Sequence, residues 1–166
     1  MVHSGGYNLR FETAEGRITA LRLADGTRIL AYGYDEGNLT EVVNSSGRPL
    51  RLTYDDRGRI TSWTDTNDSR YDYAYDDQDR CIAQGGSEGH LALTLSYGTQ
   101  NLGSAHRVTS VTTADGCTRR YLIDERCRVV AEIDPLGAET RYEYDTAGRV
   151  TSRTDPLGAT CRQEYD

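Results

Sequence analysis

From Ala138 to Tyr144 the side chains alternate. Ala138, Thr140, Tyr142 and Tyr144 fall on one face of an extended chain, while Glu139, Arg141 and Glu143 fall on the other. A period of two predicts a half-buried β-strand. The four residues before it, Asp134-Pro135-Leu136-Gly137, have turn formers in their preferred places: Asp first, Pro second to preset φ, Gly fourth. After it, Asp145-Thr146-Ala147-Gly148 reads as a type I turn closed by a glycine that takes positive φ and forms the bulge of a tight hairpin. Arg149 to Thr154 return as the second strand. Each strand spans roughly 20 Å at about 3.3 Å per residue. The block from Asp134 to Thr154 therefore predicts one β-hairpin plus the turn to the next, and it restarts at once as Asp155-Pro156-Leu157-Gly158.

The same pattern recurs along the chain, which makes it a repeat. The position of the second-turn glycine is held by Gly16, Gly37, Gly58, Asp79, His106, Cys127 and Gly148, spaced by 21, 21, 21, 27, 21 and 21 residues. Asp and His tolerate positive φ better than most residues, whereas Cys127 has no such excuse, so its turn is expected to be distorted. The next position is Arg17, Asn38, Arg59, Arg80, Arg107, Arg128 and Arg149, and an apolar residue or cysteine follows each: Ile18, Leu39, Ile60, Cys81, Val108, Val129 and Val150. About fourteen strands in seven and a half repeats, an all-β chain of consecutive hairpins, are expected over a single domain of residues 1–166.

Tyr54-Asp55-Asp56-Arg57-Gly58-Arg59-Ile60 and Tyr144-Asp145-Thr146-Ala147-Gly148-Arg149-Val150, with the two DPLG turns, resemble the YD repeat of Rhs (rearrangement-hotspot) proteins, bacterial Tc-toxin shells and teneurins. Some repeats depart from that pattern. Tyr34-Asp35-Glu36-Gly37 is one residue short, Tyr97-Gly98 lacks the aspartate, Ile123 replaces tyrosine, and the first repeat has Glu12-Thr13. The resemblance implies a long antiparallel sheet, curved and spirally wound into a hollow shell, which in Rhs and Tc proteins encloses a C-terminal toxin domain. It implies no catalysis by the repeats. The self-cleaving Asp-Pro-x-Gly-Leu of the family is absent, since alanine (Ala138, Ala159) follows both DPLG motifs.

Composition narrows the partners. Apolar residues make up 36%, with twelve Tyr against one Phe, one Met and one Trp, which argues against a compact greasy core and for rings that bury a face while keeping a polar end wet. A net charge of −7 and a pI near 5.0 exclude nucleic acid as an expected partner, because phosphate binding needs clustered Lys and Arg. No apolar run approaches a membrane span, so membrane insertion is not expected, and the first residues are no signal peptide. Cys81, Cys117, Cys127 and Cys161 show no CxxC spacing and are read as reduced.

Residues 1–8 read as a tether in which pairing can already begin at Tyr7, and Pro49 must sit at a strand start, where it loses no ladder hydrogen bond. Trp63 falls where other repeats place Leu21, Val42 and Val111, and Tyr71, Tyr73 and Tyr75 put three rings on one face. The register breaks only between Gln84 and His106, where six extra residues are placed in Gly85–His90 and in a turn from Tyr97 to His106, with strand Leu91–Ser96 between. Insertions in repeat proteins project as loops and carry what is specific to a protein. Trp63, Tyr71, Tyr73, Tyr75, His90 and His106 are accordingly the candidate binding surface, for packing first and recognition second. His90 and His106 lack further ligands at metal-site spacing, so no metal and no cofactor are expected. The recurring Asp35, Asp55, Asp76, Asp124, Asp145 and Asp166 are read as acceptors for their own turns' N–H groups and not as a calcium ladder.

The expected function is a non-catalytic section of a YD-repeat shell that encloses and helps deliver a toxin domain, secreted or at the cell surface as part of a longer protein. Its partners would be the rest of that shell and the enclosed domain. The chain ends in half a repeat, Cys161 to Asp166, which reads as a fragment whose sheet edges could self-associate. The alternative is an adhesion or carbohydrate-binding module that uses the tyrosine face and the 85–106 insertion.

Overall fold

The computed structural model describes residues 8–101 and 105–166. Residues 1–7 of the expected tether, Tyr7 among them, lie outside the described residues, and Asn8 forms a β-bridge. By contacts the chain divides into two units: residues up to Ala74 with Gly85–His90, and Tyr75–Gln84 with Leu91–Asp166.

The first unit is built from β1 (Leu9–Ala14), β2 (Arg17–Leu23), β3 (Arg28–Asp35), β4 (Asn38–Val43), β5 (Pro49–Tyr54), β6 (Ile60–Thr64) and most of β7 (Arg70–Tyr75). The second is built from most of β8 (Cys81–Gly86) and from β9 (Leu93–Asn101), β10 (Ala105–Thr113), β11 (Thr118–Ile123), β12 (Val129–Ile133), β13 (Glu139–Tyr144), β14 (Val150–Thr154) and β15 (Thr160–Arg162). The order of the fifteen strands in the sheet is their order in the sequence, beginning at β1 and ending at β15, so the antiparallel sheet is open. One strand more than expected forms because Thr160–Arg162 pairs with β14 through Ser152↔Arg162 and Thr154↔Thr160. Pro49 opens β5, as its missing N–H requires.

The turns follow the chemistry of their residues. In the hairpin from Asp145 to Arg149, Asp145 N–H donates to the carbonyl of Arg149 at 2.9 Å and Gly148 N–H to the carbonyl of Asp145 at 3.1 Å, with Gly148 at φ 84°. The shorter Asp35-Glu36-Gly37 closes a two-residue loop instead, with both Glu36 (φ 46°) and Gly37 (φ 91°) left-handed, as a type I′ turn demands. The expected distortion at Cys127 is not found. Cys127 takes φ 63° and its turn keeps the same pair of bonds, Asp124 N–H to Arg128 carbonyl at 3.0 Å and Cys127 N–H to Asp124 carbonyl at 3.1 Å. The ladder on either side holds the backbone there, and the strain stays local, at about 1–2 kcal/mol.

His106 is also corrected. It is no turn residue but lies within β10, opposite Gln100. Strand β9 runs to Asn101, not Ser96, and the β9–β10 hairpin has nine-residue arms against six or fewer in the hairpin β13–β14. The extra residues mostly lengthen this hairpin beyond Tyr97. Before Tyr97 the register slips by one residue only, since its hydroxyl reaches back sixteen positions where Tyr144 reaches fifteen. Gly85–His90 contains a single 3-10 turn, Ser87–Gly89, tied to β7 by Ser87 Oγ donating to the Arg70 carbonyl at 3.4 Å.

Five hairpins share a bulge that strand alternation alone does not reveal. The pairing jumps from Ile18 to Ala20, Leu39 to Glu41, Ile60 to Ser62, Val129 to Ala131 and Val150 to Ser152, leaving Thr19, Thr40, Thr61, Val130 and Thr151 as the extra residues. The residue after the bulge is where burial concentrates: Ala20, Ser62, Ala131 and Ser152 are four of the six buried residues among those described, and Ser62 is 1% exposed. The others, Leu122 and Ile133, join Ala131 in the small core of the second unit, with Val108 and Val130 against it. A sheet with so little apolar interior depends on its ladder and on side-chain bonds between neighbouring strands.

Candidate functional surface

Four turns of the repeat are carboxylate cradles. Asp145 accepts from the backbone N–H of Arg149 at 2.8 Å through Oδ1 and from Arg149 Nε at 2.7 Å through Oδ2. Asp55 accepts from the N–H groups of Arg57 and Arg59, both at 3.0 Å, and from Arg59 Nε at 2.8 Å; Asp76 with Arg80 and Asp124 with Arg128 repeat the arrangement. The Arg149 N–H first, and then its guanidinium, hold the Asp145 carboxyl below its ordinary 3.8, and the Arg128 N–H does the same for Asp124. These four carboxylates serve their own turns. Asp35 does not share the expected role: it ends β3 opposite Asn38 across the two-residue loop. Asp166 differs too, accepting from Arg149 Nη1 through its main-chain carbonyl at 3.5 Å.

The arginine and the tyrosine of the motif then act between hairpins. The Arg80 guanidinium lies 4.6 Å from the Tyr97 ring centroid, Arg128 lies 4.8 Å from Tyr144, Arg149 lies 4.6 Å from Tyr165, and Arg17 lies 5.6 Å from Tyr34. Each of these tyrosines donates its hydroxyl to the main chain of the preceding hairpin: Tyr34 to Ile18 at 2.9 Å, Tyr97 to Cys81 at 2.6 Å, Tyr144 to Val129 at 2.6 Å and Tyr165 to Val150 at 2.8 Å. Tyr54 does the same to Leu39 at 2.7 Å although Asn38 replaces the arginine there. Burial raises the hydroxyl pKa of Tyr97 and Tyr144, which keeps both as donors. The hydroxyl stitch was not anticipated from the sequence. The signal was present: the tyrosine and its acceptor recur at a separation of fifteen or sixteen residues.

Of the candidate surface residues, three come together in the first unit. Trp63 pairs across to Tyr71, their rings stacked at 5.9 Å and 13°, and its Nε1 donates to the Tyr73 hydroxyl at 3.2 Å. Tyr71 and Tyr73 follow one another on the same face, 5.3 Å apart. His90, in the same unit, is exposed and closes the loop after β8 by accepting from Gly86 N–H at 2.7 Å through its carbonyl. Tyr75 and His106 belong to the second unit. Among the described residues no cluster of three or more His, Cys, Asp or Glu side chains could hold a metal ion, and the four cysteines are free thiols. Cys117 sits beside Asp115, whose carboxylate raises its pKa. No helix among the described residues is long and apolar enough to cross a membrane.

What this surface offers is a set of turn cradles and ring stitches that join one hairpin to the next, with an aromatic trio on one strand pair. It is the chemistry of a structural repeat. No curated protein matches the chain. The family model of the RHS repeat matches residues 35–62, 54–90 and 128–160, more than half of the sequence and the region that holds the best-formed cradles at Asp55, Asp76 and Asp145. The chain belongs to the RHS repeat family, as a shell-type structural protein.

Proposed function

We propose that the chain is a non-catalytic section of shell wall, secreted or displayed as part of a longer protein, that encloses a C-terminal toxin domain and helps to deliver it. The observation that carries this reading is the stitch itself. Because the β13–β14 hairpin carries both an arginine that covers the next tyrosine, Tyr165, and a tyrosine that bonds the previous main chain at Val129, such a unit can be added repeatedly without a new kind of interface. The carboxylates of Asp55, Asp76, Asp124 and Asp145 are committed to their turns.

The test is protease protection in the full-length protein. The domain that follows the repeats is expected to resist digestion until the repeats unfold, and digestion at the rate of the isolated domain would refute enclosure. Adhesion through a glycan has one feature in its favour, the Trp63–Tyr71–Tyr73 trio. Trp63 is the sole tryptophan, so a saturable change in its fluorescence on titration with glycans would support that second reading.

A further inference from the structure

The column of arginines has a gap in the first unit. Arg80, Arg128 and Arg149 each take a carboxylate from their own turn, at 2.8, 2.7 and 2.7 Å, and cover a tyrosine ring of the next hairpin. Arg17 shows that a two-residue loop allows the same reach: it follows Glu15-Gly16, both left-handed, and lies 5.6 Å from the Tyr34 centroid. Asn38 follows the matching loop, Glu36-Gly37, but is neutral and short. Among the described residues no arginine covers the Tyr54 ring, although the Tyr54 hydroxyl keeps its bond to Leu39. The place left open is a cavity of about 360 Å³ lined by Asp35, Glu36, Asn38, Tyr54, Asp55 and Asp56 among others. That volume is within the range of small-ligand sites. Asp55 is committed to Arg59, but the Asp35 and Glu36 side chains make no hydrogen bond or ion pair among the described residues. Arg17, which approaches their loop from the preceding hairpin at Gly37, pairs with neither.

We propose that this cavity receives the guanidinium of an arginine side chain from another polypeptide. The cation lies over the Tyr54 ring with its N–H edge toward Asp35 and Glu36. The carboxylates then come from the turn before the place and the ring from the hairpin after it, the arrangement found at Arg80, Arg128 and Arg149. The carboxylates alone would name no ligand. The uncovered ring does, because Tyr34, Tyr97, Tyr144 and Tyr165 at the same step are each covered by an arginine of the hairpin before. Asp35 and Glu36 are exposed, so the cavity opens to such a side chain.

The test titrates the intact chain with N-acetyl-arginine N-methylamide at constant ionic strength, with the neutral citrulline analogue as control, following the amide shifts of Asn38 and Tyr54 by NMR. Saturation is expected with a Kd of about 1–30 mM, the citrulline control binding about three- to thirty-fold more weakly, as the loss of an exposed cation–π contact and ion pair implies. Asn38→Arg should fill the place from within, abolish binding and raise the melting temperature. Because the Asp35 and Glu36 side chains bond to nothing else among the described residues, the double variant Asp35→Asn, Glu36→Gln should keep its fold and bind about three-fold more weakly or worse. No saturation by about 100 mM, a Kd weaker than the contacts would give, overturns the proposal. Equal binding of the citrulline analogue, or undiminished binding to either variant, overturns it equally.

Discussion

At the scale of single residues, the repeat is held by backbone geometry at one position and by charge at another. Gly148 has φ 84°, and a Cβ placed there would meet nothing within 4 Å, so the cost of a larger residue is conformational. Gly148→Val is expected to destabilise by about 1–3 kcal/mol, and Ala147→Val in the same turn by much less, in urea unfolding; equal losses would refute the turn. Asp145 gives the pH dependence. Its carboxyl is held below 3.8 in the folded chain, so the stability it contributes is fully present above that value and is lost as pH falls through the lowered one. Stability should therefore be flat near neutrality and fall in the acid range below 3.8, with Asp145→Asn less stable at pH 7 and shallower in its acid decline. The stitch can be measured directly: Tyr144→Phe loses the 2.6 Å bond to Val129 and should cost about 0.5–1.5 kcal/mol, while Tyr142→Phe should be near neutral.

At the scale of the hairpin, the bulge decides what can be buried. The bulge pushes one residue out of the ladder, and the next one is buried with a small side chain, Ser62 in one hairpin and Ser152 in another. Ser62 lies there with its Oγ 2.7 Å from Thr53 Oγ1, which has Thr61 Oγ1 at 2.9 Å as a second partner. Ser62→Ala should then cost under about 1 kcal/mol, whereas Ser62→Leu should cost about 1–3 kcal/mol through overpacking. A leucine accepted without loss, measured by thermal or urea unfolding, would mean that the slot is not tight. The long β9–β10 hairpin pairs Tyr97 directly with Thr109 and shows no register shift, so its arms continue to Asn101 and Ala105.

At the scale of the chain, acid residues outnumber basic ones by 26 to 19, and many of the acids are already placed. Four ion pairs of the turns repeat the i,i+4 geometry of Asp with Arg, so Asp55, Asp76, Asp124 and Asp145 of the aspartate column are already paired. Because a bound ion would stabilise the folded state by mass action, the melting temperature should be unchanged by EDTA and by millimolar calcium. A shift of several degrees would restore the carboxylate ladder as a site.

Local chemistry determined most of the elements. Strand alternation, the DPLG and YD turns and the spacing between them are properties of a few consecutive residues, so the hairpins, the start of β5 at Pro49 and even the shorter loop at Glu36-Gly37 were legible in the sequence. The family resemblance was legible for the same reason. Tertiary structure decided the rest. The bulges at Thr19, Thr40, Thr61, Val130 and Thr151 depend on how two strands pair, and the β-branched residues there fit a regular strand equally well. His106 was assigned to a turn because counting in steps of 21 cannot tell an inserted loop from longer arms; continued pairing across β9 and β10 favoured the arms. Cys127 was expected to strain its turn, but the bonds at Asp124 and Arg128 held a conformation its side chain disfavours. The tyrosine stitch joins residues fifteen or sixteen positions apart, a distance at which only the folded sheet brings partners together.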